Sequence, residues 1–341
     1  MKNTAYFFIV AISIVTTLTF GKSLLIPFVF ALLLWFISRK LRTLMNKIKF
    51  IKKYFPSWLK NTLSSLTILT LLIVISKILS SNINLLAQAT QSYDSNIGSV
   101  IENISHYLTI DITEALKNQL GNINFGQILS LIFNSITELF GNLFMIIIYV
   151  LFIFLEEANF HKKLMLAFTD KDQQHKISTV LEEIEASITN YLGLKTFVSL
   201  ITGLLSYVVL LFIGIDAPIF WAFLIALLNF IPTVGSLIAT VFPATYCLLQ
   251  FGDVYPFLLV LILVGTIQVI IGNVLEPKLM GNTLNISSLA TLIALSIWGS
   301  IWGITGMFLS VPISVIIIII LSQFPNTKAF AILLSDKGDI K

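Results

Sequence analysis

Residues 219–249, IFWAFLIALLNFIPTVGSLIATVFPATYCLL, decide the fold because they place two short apolar runs on either side of a break. The runs are Ile219–Ile231 and Leu237–Leu249, and the break is Asn229–Gly235. Each run is shorter than the roughly 20 residues that cross a bilayer as a helix. Proline interrupts helices, and backbone freed at membrane depth must line a cavity or pack in protein. The stretch therefore predicts a helical hairpin that either spans the membrane or re-enters it.

The rest of the chain is rich in similar runs. Hydrophobic residues make up 57% of the sequence and charged residues only 11%, which a water-soluble surface does not tolerate. Helices satisfy their own backbone hydrogen bonds in lipid. We therefore expect an all-α polytopic membrane protein with about eight transmembrane helices, or up to ten hydrophobic segments. The segments are 6–20, 24–37, 63–79, 139–155, 197–215, 219–231, 237–249, 257–271, 289–304 and 308–321.

A basic loop between the second and third segments predicts the orientation. Residues 39–60 contain eight lysines and arginines and no acidic residue. Because positive loops stay in the cytoplasm, both termini are expected there. Binding of nucleic acid is the alternative that we weigh against this, and attraction to the lipid bilayer explains the charge more simply.

The predicted organisation has five parts. Residues 1–80 hold N-terminal transmembrane helices and the basic loop, and 81–137 form an extracytoplasmic amphipathic segment. Residues 138–195 contain a transmembrane helix and a cytoplasmic helix whose apolar stripe runs from Ile177 to Tyr191. A transport core is expected at 196–325 and a cytoplasmic tail at 326–341.

The predicted core contains an internal repeat. Leu224–Leu227 and Leu292–Leu295 share the sequence Leu-Ile-Ala-Leu, and a glycine follows eleven residues after each first leucine, at 235 and at 303. A proline follows each glycine, and the second break is Trp298–Gly306. Chance remains an alternative for so short a match. Counting segments predicts two inverted hairpins in the C-terminal half, an architecture typical of secondary transporters.

Polar and helix-breaking residues of the first break are candidate pathway residues. Asn229 and Thr233 offer hydrogen-bonding side chains, Pro232 leaves a carbonyl unpaired, and Gly235 permits close backbone approach. The alternative for the glycines is helix packing.

Few charges occur in the predicted core. Between residues 196 and 327 they are Asp216, Asp253, Glu276 and Lys278, at the ends of apolar runs. An interfacial position would explain them, but a buried carboxylate would be a functional residue. No cofactor and no metal site are expected, since Cys247 is the single cysteine and the three histidines are scattered.

Several motifs resemble the autoinducer-2 exporter family of prokaryotic permeases. They include Tyr191-Leu192-Gly193, the Asn229–Gly235 break and the run Ser310-Val311-Pro312. Gln268, Asn273, Glu276-Pro277, Gly281, Gly299, Gly303 and Gly306 complete the resemblance. The chain departs from many members at Ile286-Ser287-Ser288, where they carry a His-Pro pair.

The resemblance implies a transporter rather than an enzyme, located in the inner membrane of a prokaryotic cell, and a homo-oligomer such as a ring of five. It implies export of a small polar signalling molecule of the autoinducer-2 type or, as an alternative, sodium(lithium)/proton exchange. An antiporter would use Glu276, or Asp216, for ion coupling. A non-transporting membrane scaffold is a further alternative. The expected pathway residues are Asn229, Pro232, Thr233, Gly235, Gln268, Asn273, Glu276, Pro277, Gly281, Gly303 and Gly306.

Overall fold

The computed structural model describes residues 2–92, 143–168, 170–281 and 285–338. Throughout these ranges the regular structure is helical. The helices are α1 (Lys2–Phe20), α2 (Lys22–Lys47), α3 (Lys49–Tyr54), α4 (Ser57–Ser92), α5 (Leu143–Ala167), α6 (Lys171–Ile213), α7 (Pro218–Leu228), α8 (Val234–Phe251), α9 (Val254–Ile270), a π-helical turn (Ile271–Leu275), α10 (Glu276–Met280), α11 (Ser288–Ser322) and α12 (Lys328–Leu334). Most of the predicted 81–137 segment lies outside the described residues.

Five helical stretches of the described chain are long and apolar enough to cross a membrane: α2, α6, α8, Val254–Met280 and α11. Shorter apolar helices occupy Phe8–Phe20, Thr62–Leu71 and Pro218–Leu228. Large apolar side chains point outward from them, including Phe20 and Phe212, which are more than four-fifths exposed. Lipid rather than water suits such surfaces. The prediction of an all-α polytopic membrane protein is confirmed.

The helices fall into two compact units. Unit 1 comprises residues 1–69, 139–194 and 282–341, and unit 2 comprises 70–138 and 195–281. The boundary between Leu194 and Lys195 lies inside α6, so the predicted cytoplasmic helix and the first core segment are one continuous helix. The predicted transport core, 196–325, is shared between the units.

Unit 1 is held together by packing of α2 on α5 and of α11 on α12. The basic residues predicted for a loop contribute from within a helix, because Arg39 and Arg42 belong to α2 and most of 39–60 is helical. Arg42 lies 3.1 Å from Glu157, and Arg39 lies 2.5 Å from Glu185. The Trp35 indole also donates to Glu157, over 2.9 Å. These partly buried pairs join α2 to α5 and to the N-terminal half of α6.

In unit 2, α8 packs against both α7 and α9. The local sequence explains where these helices begin. Pro218 opens α7, where its missing N–H costs no hydrogen bond. Asp253 caps α9 by accepting from the Tyr255 backbone N–H over 3.1 Å, after Gly252 has ended α8 in a left-handed conformation.

Candidate functional site

The predicted break at Asn229–Gly235 is a reversal of the chain between α7 and α8. Thr233 has φ of 56° and ψ of −59°, which is uncommon for a β-branched residue. A Cβ atom on Gly235 would lie 1.9 Å from the Leu228 carbonyl oxygen, so only glycine fits there. The Thr233 side chain is exposed, and Pro232 is half-buried. The break therefore depends on its backbone, with Asn229 as its buried polar side chain.

Asn229 ties the end of α7 to α6. Its side chain is buried, and its Nδ2 donates to Ser199 Oγ over 3.2 Å and to Thr202 Oγ1 over 3.5 Å. The two helices come close here because Gly203 faces Ala222 and Ala226 of α7. A buried amide has few alternatives to such partners. The contacts thus place one predicted pathway residue in a hydrogen-bonded cluster.

The partners of Asn229 belong to a polar stripe on α6 that the sequence analysis missed. Lys195, Ser199, Thr202 and Ser206 are all buried, and they follow one another at intervals of four, three and four residues. That spacing puts them on one face of a helix, over about 16 Å. We call these four residues the α6 polar stripe. The sequence signal that could have revealed the stripe is the helical spacing of polar residues inside the apolar run 197–215.

Gln268 and Asn273 lie on either side of the start of the π-helical turn. Gln268 is 7% exposed, and no described residue is a hydrogen-bond partner of its Nε2. Asn273 is within the turn and exposed. Turns of this kind occur often at functional sites because they release backbone groups from the helical pattern. Gln268 therefore has a buried donor with nothing in the described chain to receive it.

Glu276 forms an ion pair at the end of the π-helical turn. Its Oε1 lies 2.5 Å from Lys195 Nζ, and the two side chains are 21% and 5% exposed. Pro277 follows it, and Gly281, with φ of 49°, ends α10. The carboxylate that the sequence predicted as an ion-coupling residue thus has a buried lysine as its partner.

Asp216 lies far from this pair. It follows α6, whose residues Lys195 and Ile213 are about 27 Å apart at 1.5 Å per residue. Its loop is fastened by Gln250, which accepts from the Asp216 backbone N–H over 2.8 Å and donates to the Gly214 carbonyl over 3.0 Å. The structure therefore does not bring the two predicted ion-coupling carboxylates together.

The second break is a reversal inside α11. Gly303 has φ of 64° and ψ of −142°, and a Cβ atom on Gly306 would lie 1.8 Å from the Trp298 carbonyl oxygen. Since Trp298 and Gly306 would be about 12 Å apart in a straight helix, the chain must turn back on itself here. Gly303 and Gly306 belong to unit 1, whereas the other predicted pathway residues belong to unit 2.

Comparison with known proteins assigns the chain to a family. The AI-2E family transporter model matches residues 7–326. The AI-2 transport protein TqsA of Escherichia coli K12 is 29% identical over 321 residues, which are 93% of this chain and 91% of that protein.

Two further relatives are presumed transport proteins. One, from Borreliella burgdorferi, is 31% identical over 261 residues, covering 74% of this chain and 70% of the relative. The other, from Haemophilus influenzae, is 28% identical over 330 residues, covering 94% and 92%. Because the family model spans nearly the whole chain, this protein belongs to the AI-2E family of membrane transporters.

Proposed function

We propose that the protein exports a small, neutral, polar molecule of the autoinducer-2 type, bound by the buried polar groups of unit 2. The observation that carries this is the Asn229 cluster on the α6 polar stripe, together with the unpartnered Nε2 of Gln268. Hydroxyl-rich solutes need such donors and acceptors once they leave water. The Escherichia coli relative, named for autoinducer-2 transport, supports the same class of solute.

Hydrogen-bond energetics support a solute site at Gln268 rather than a packing role. A buried donor without a partner costs about 1–3 kcal/mol, and most native chains avoid that cost. A solute hydroxyl would supply the missing acceptor while it is bound. Ser206, at the far end of the α6 polar stripe, also has a buried hydroxyl with no described partner. Gln268 and Ser206 thus offer unused hydrogen-bonding capacity within unit 2.

Sodium/proton exchange is the second candidate, favoured by the one-fifth exposure of the Glu276 side chain. An antiporter carboxylate must be able to take up a proton or a cation. Lys195 already supplies the positive charge at this carboxylate, over 2.5 Å. Neutral solute transport therefore fits the ion pair better.

The test is efflux of an autoinducer-2-type sugar from liposomes that contain the purified protein, with sodium-driven change of internal pH measured in the same preparation. Sugar efflux without a sodium-driven pH change is the expected result. A sodium-driven pH change without sugar efflux would make the protein an antiporter. If well-folded protein shows neither sugar efflux nor a sodium-driven pH change, export is rejected and the non-transporting scaffold becomes the favoured alternative.

Gln268→Leu separates a binding role from a folding role. No described hydrogen bond is lost, so the variant should unfold at the same temperature as the native protein or slightly above it. Sugar efflux should fall about 5- to 12-fold, the equivalent of one neutral hydrogen bond. Ser296→Ala is the matched control, because Ser296 is exposed and bonds only locally, to the Leu292 carbonyl. Undiminished efflux by Gln268→Leu would remove Gln268 from the site.

A further inference from the structure

The two side chains of the Lys195–Glu276 pair have different surroundings. The Lys195 side chain is 5% exposed and approaches from α6, whereas the Glu276 side chain is 21% exposed. Lys195 belongs to the α6 polar stripe, and Ser199, which bonds to Asn229, is one turn away. The carboxylate therefore has one side that the ammonium fills and another side that the described protein does not cover.

Other charges of unit 2 have different positions. Asp253 caps α9, Asp216 lies beyond the opposite end of the apolar part of α6, and Lys278 is exposed two residues after Glu276. Residues two apart on a helix do not face each other. Within the described chain, the ion pair of Glu276 is with Lys195. Lys195 is thus the group that balances the carboxylate.

Stability alone does not explain this pair. Replacing a buried ion pair by apolar residues is often neutral or stabilising, whereas removing one partner leaves an uncompensated charge. A carboxylate left alone in such surroundings must take up a proton or a cation from water. Lys195 prevents that, because its ammonium is held next to the carboxylate by the chain and needs no encounter with a free ion.

We propose that Lys195 is a specificity-determining residue of the transport core: a tethered cation that excludes free sodium ions and protons from Glu276. The inference rests on the proposed function and deepens it, since it explains how a core with a carboxylate moves a neutral solute without coupling to cations. Lys195 and Glu276 form a closed pair, and the hydrogen-bonding groups from Ser199 onward take the solute. Loss of the ammonium opens Glu276 to cations.

The experiment measures ²²Na⁺ uptake into liposomes that contain wild-type protein, Lys195→Met, Lys195→Arg or the double variant Lys195→Met with Glu276→Gln. Methionine keeps most of the length of the lysine stem but not its charge. We expect Lys195→Met to raise uptake at least about tenfold, in view of the uncompensated carboxylate. Lys195→Arg, which keeps a cation, and the double variant, which lacks the carboxylate, should remain at the wild-type level.

Two results would overturn the inference: folded Lys195→Met with wild-type uptake, or wild-type protein that already takes up sodium. Lys195→Gln replaces Lys195→Met if the latter is not monodisperse in detergent, and the same rise in sodium uptake is then expected of Lys195→Gln. Failure of the proposed function is distinguishable. Absent sugar efflux from wild-type protein rejects export, while the differences in sodium uptake among the variants still show whether Lys195 guards Glu276.

Discussion

The two chain reversals have a similar layout but differ in backbone conformation and in chemistry. In each, a residue with positive φ comes five positions after the residue whose carbonyl is closely approached: Thr233 after Leu228, and Gly303 after Trp298. In each, a glycine follows, against that carbonyl. The first reversal has Asn229, bonded to α6, and the second has Trp302, whose indole donates to the Leu18 carbonyl over 2.9 Å. Reversals of similar layout therefore serve a polar cluster in one unit and tight packing in the other.

The largest effect is expected from alanine at the two closely packed glycines. Gly235→Ala and Gly306→Ala each place a Cβ atom within 2 Å of a backbone carbonyl oxygen, so the reversal must open. We expect a loss of about 3 kcal/mol or more from each, seen as little monodisperse protein in detergent. Gly265→Ala is the control, because its new Cβ would meet Thr240 Cγ2 at an ordinary 3.6 Å. If one reversal tolerates alanine and the other does not, the close approach of glycine to carbonyl is not a requirement that the two reversals share.

Substitutions at the two residues with positive φ should change stability less, and the two changes should have opposite signs. Gly303→Ala should destabilise the protein by about 1–3 kcal/mol, since alanine rarely adopts φ of 64° with ψ of −142°. Thr233→Gly should raise the melting temperature slightly, because glycine adopts φ of 56° without strain. Thermal unfolding in detergent measures both. A lower melting temperature for Thr233→Gly would mean that the threonine side chain contributes more than its backbone strain costs.

The comparison also shows what the sequence could and could not predict. The helices and both breaks followed from apolar runs and helix-breaking residues, which act locally. The sequence repeat aligned Gly235 with Gly303. In position relative to the closely approached carbonyl, however, Gly303 corresponds to Thr233, and Gly306 corresponds to Gly235. Sequence similarity alone does not distinguish a glycine required for its positive φ from a glycine required because a side chain would not fit.

Lys195 illustrates a second limit of prediction from sequence. As the last residue of a charged stretch, it is predicted to belong to the segment before the core, and its partner is 81 residues away. No local pattern predicts a pairing over that distance. Its membership of a buried stripe was visible in the spacing from Ser199 to Ser206, because polar residues recurring on one helical face of an apolar run indicate a buried partner. Only the structure identifies that partner as Glu276.

The smallest expected effect tests whether the two reversals differ in function. Asn229→Leu and Trp302→Phe each remove side-chain hydrogen bonds of a reversal, so each should lower stability by about 1 kcal/mol. Only Asn229→Leu should also reduce sugar efflux, by about 5- to 12-fold, because Trp302 bonds to a backbone carbonyl of α1 and not to the polar cluster. Efflux per folded protein, measured with thermal unfolding of the same preparations, separates the two effects. Equal losses of efflux would place the solute at both reversals, and the contrast between a polar and a packing reversal would then be wrong.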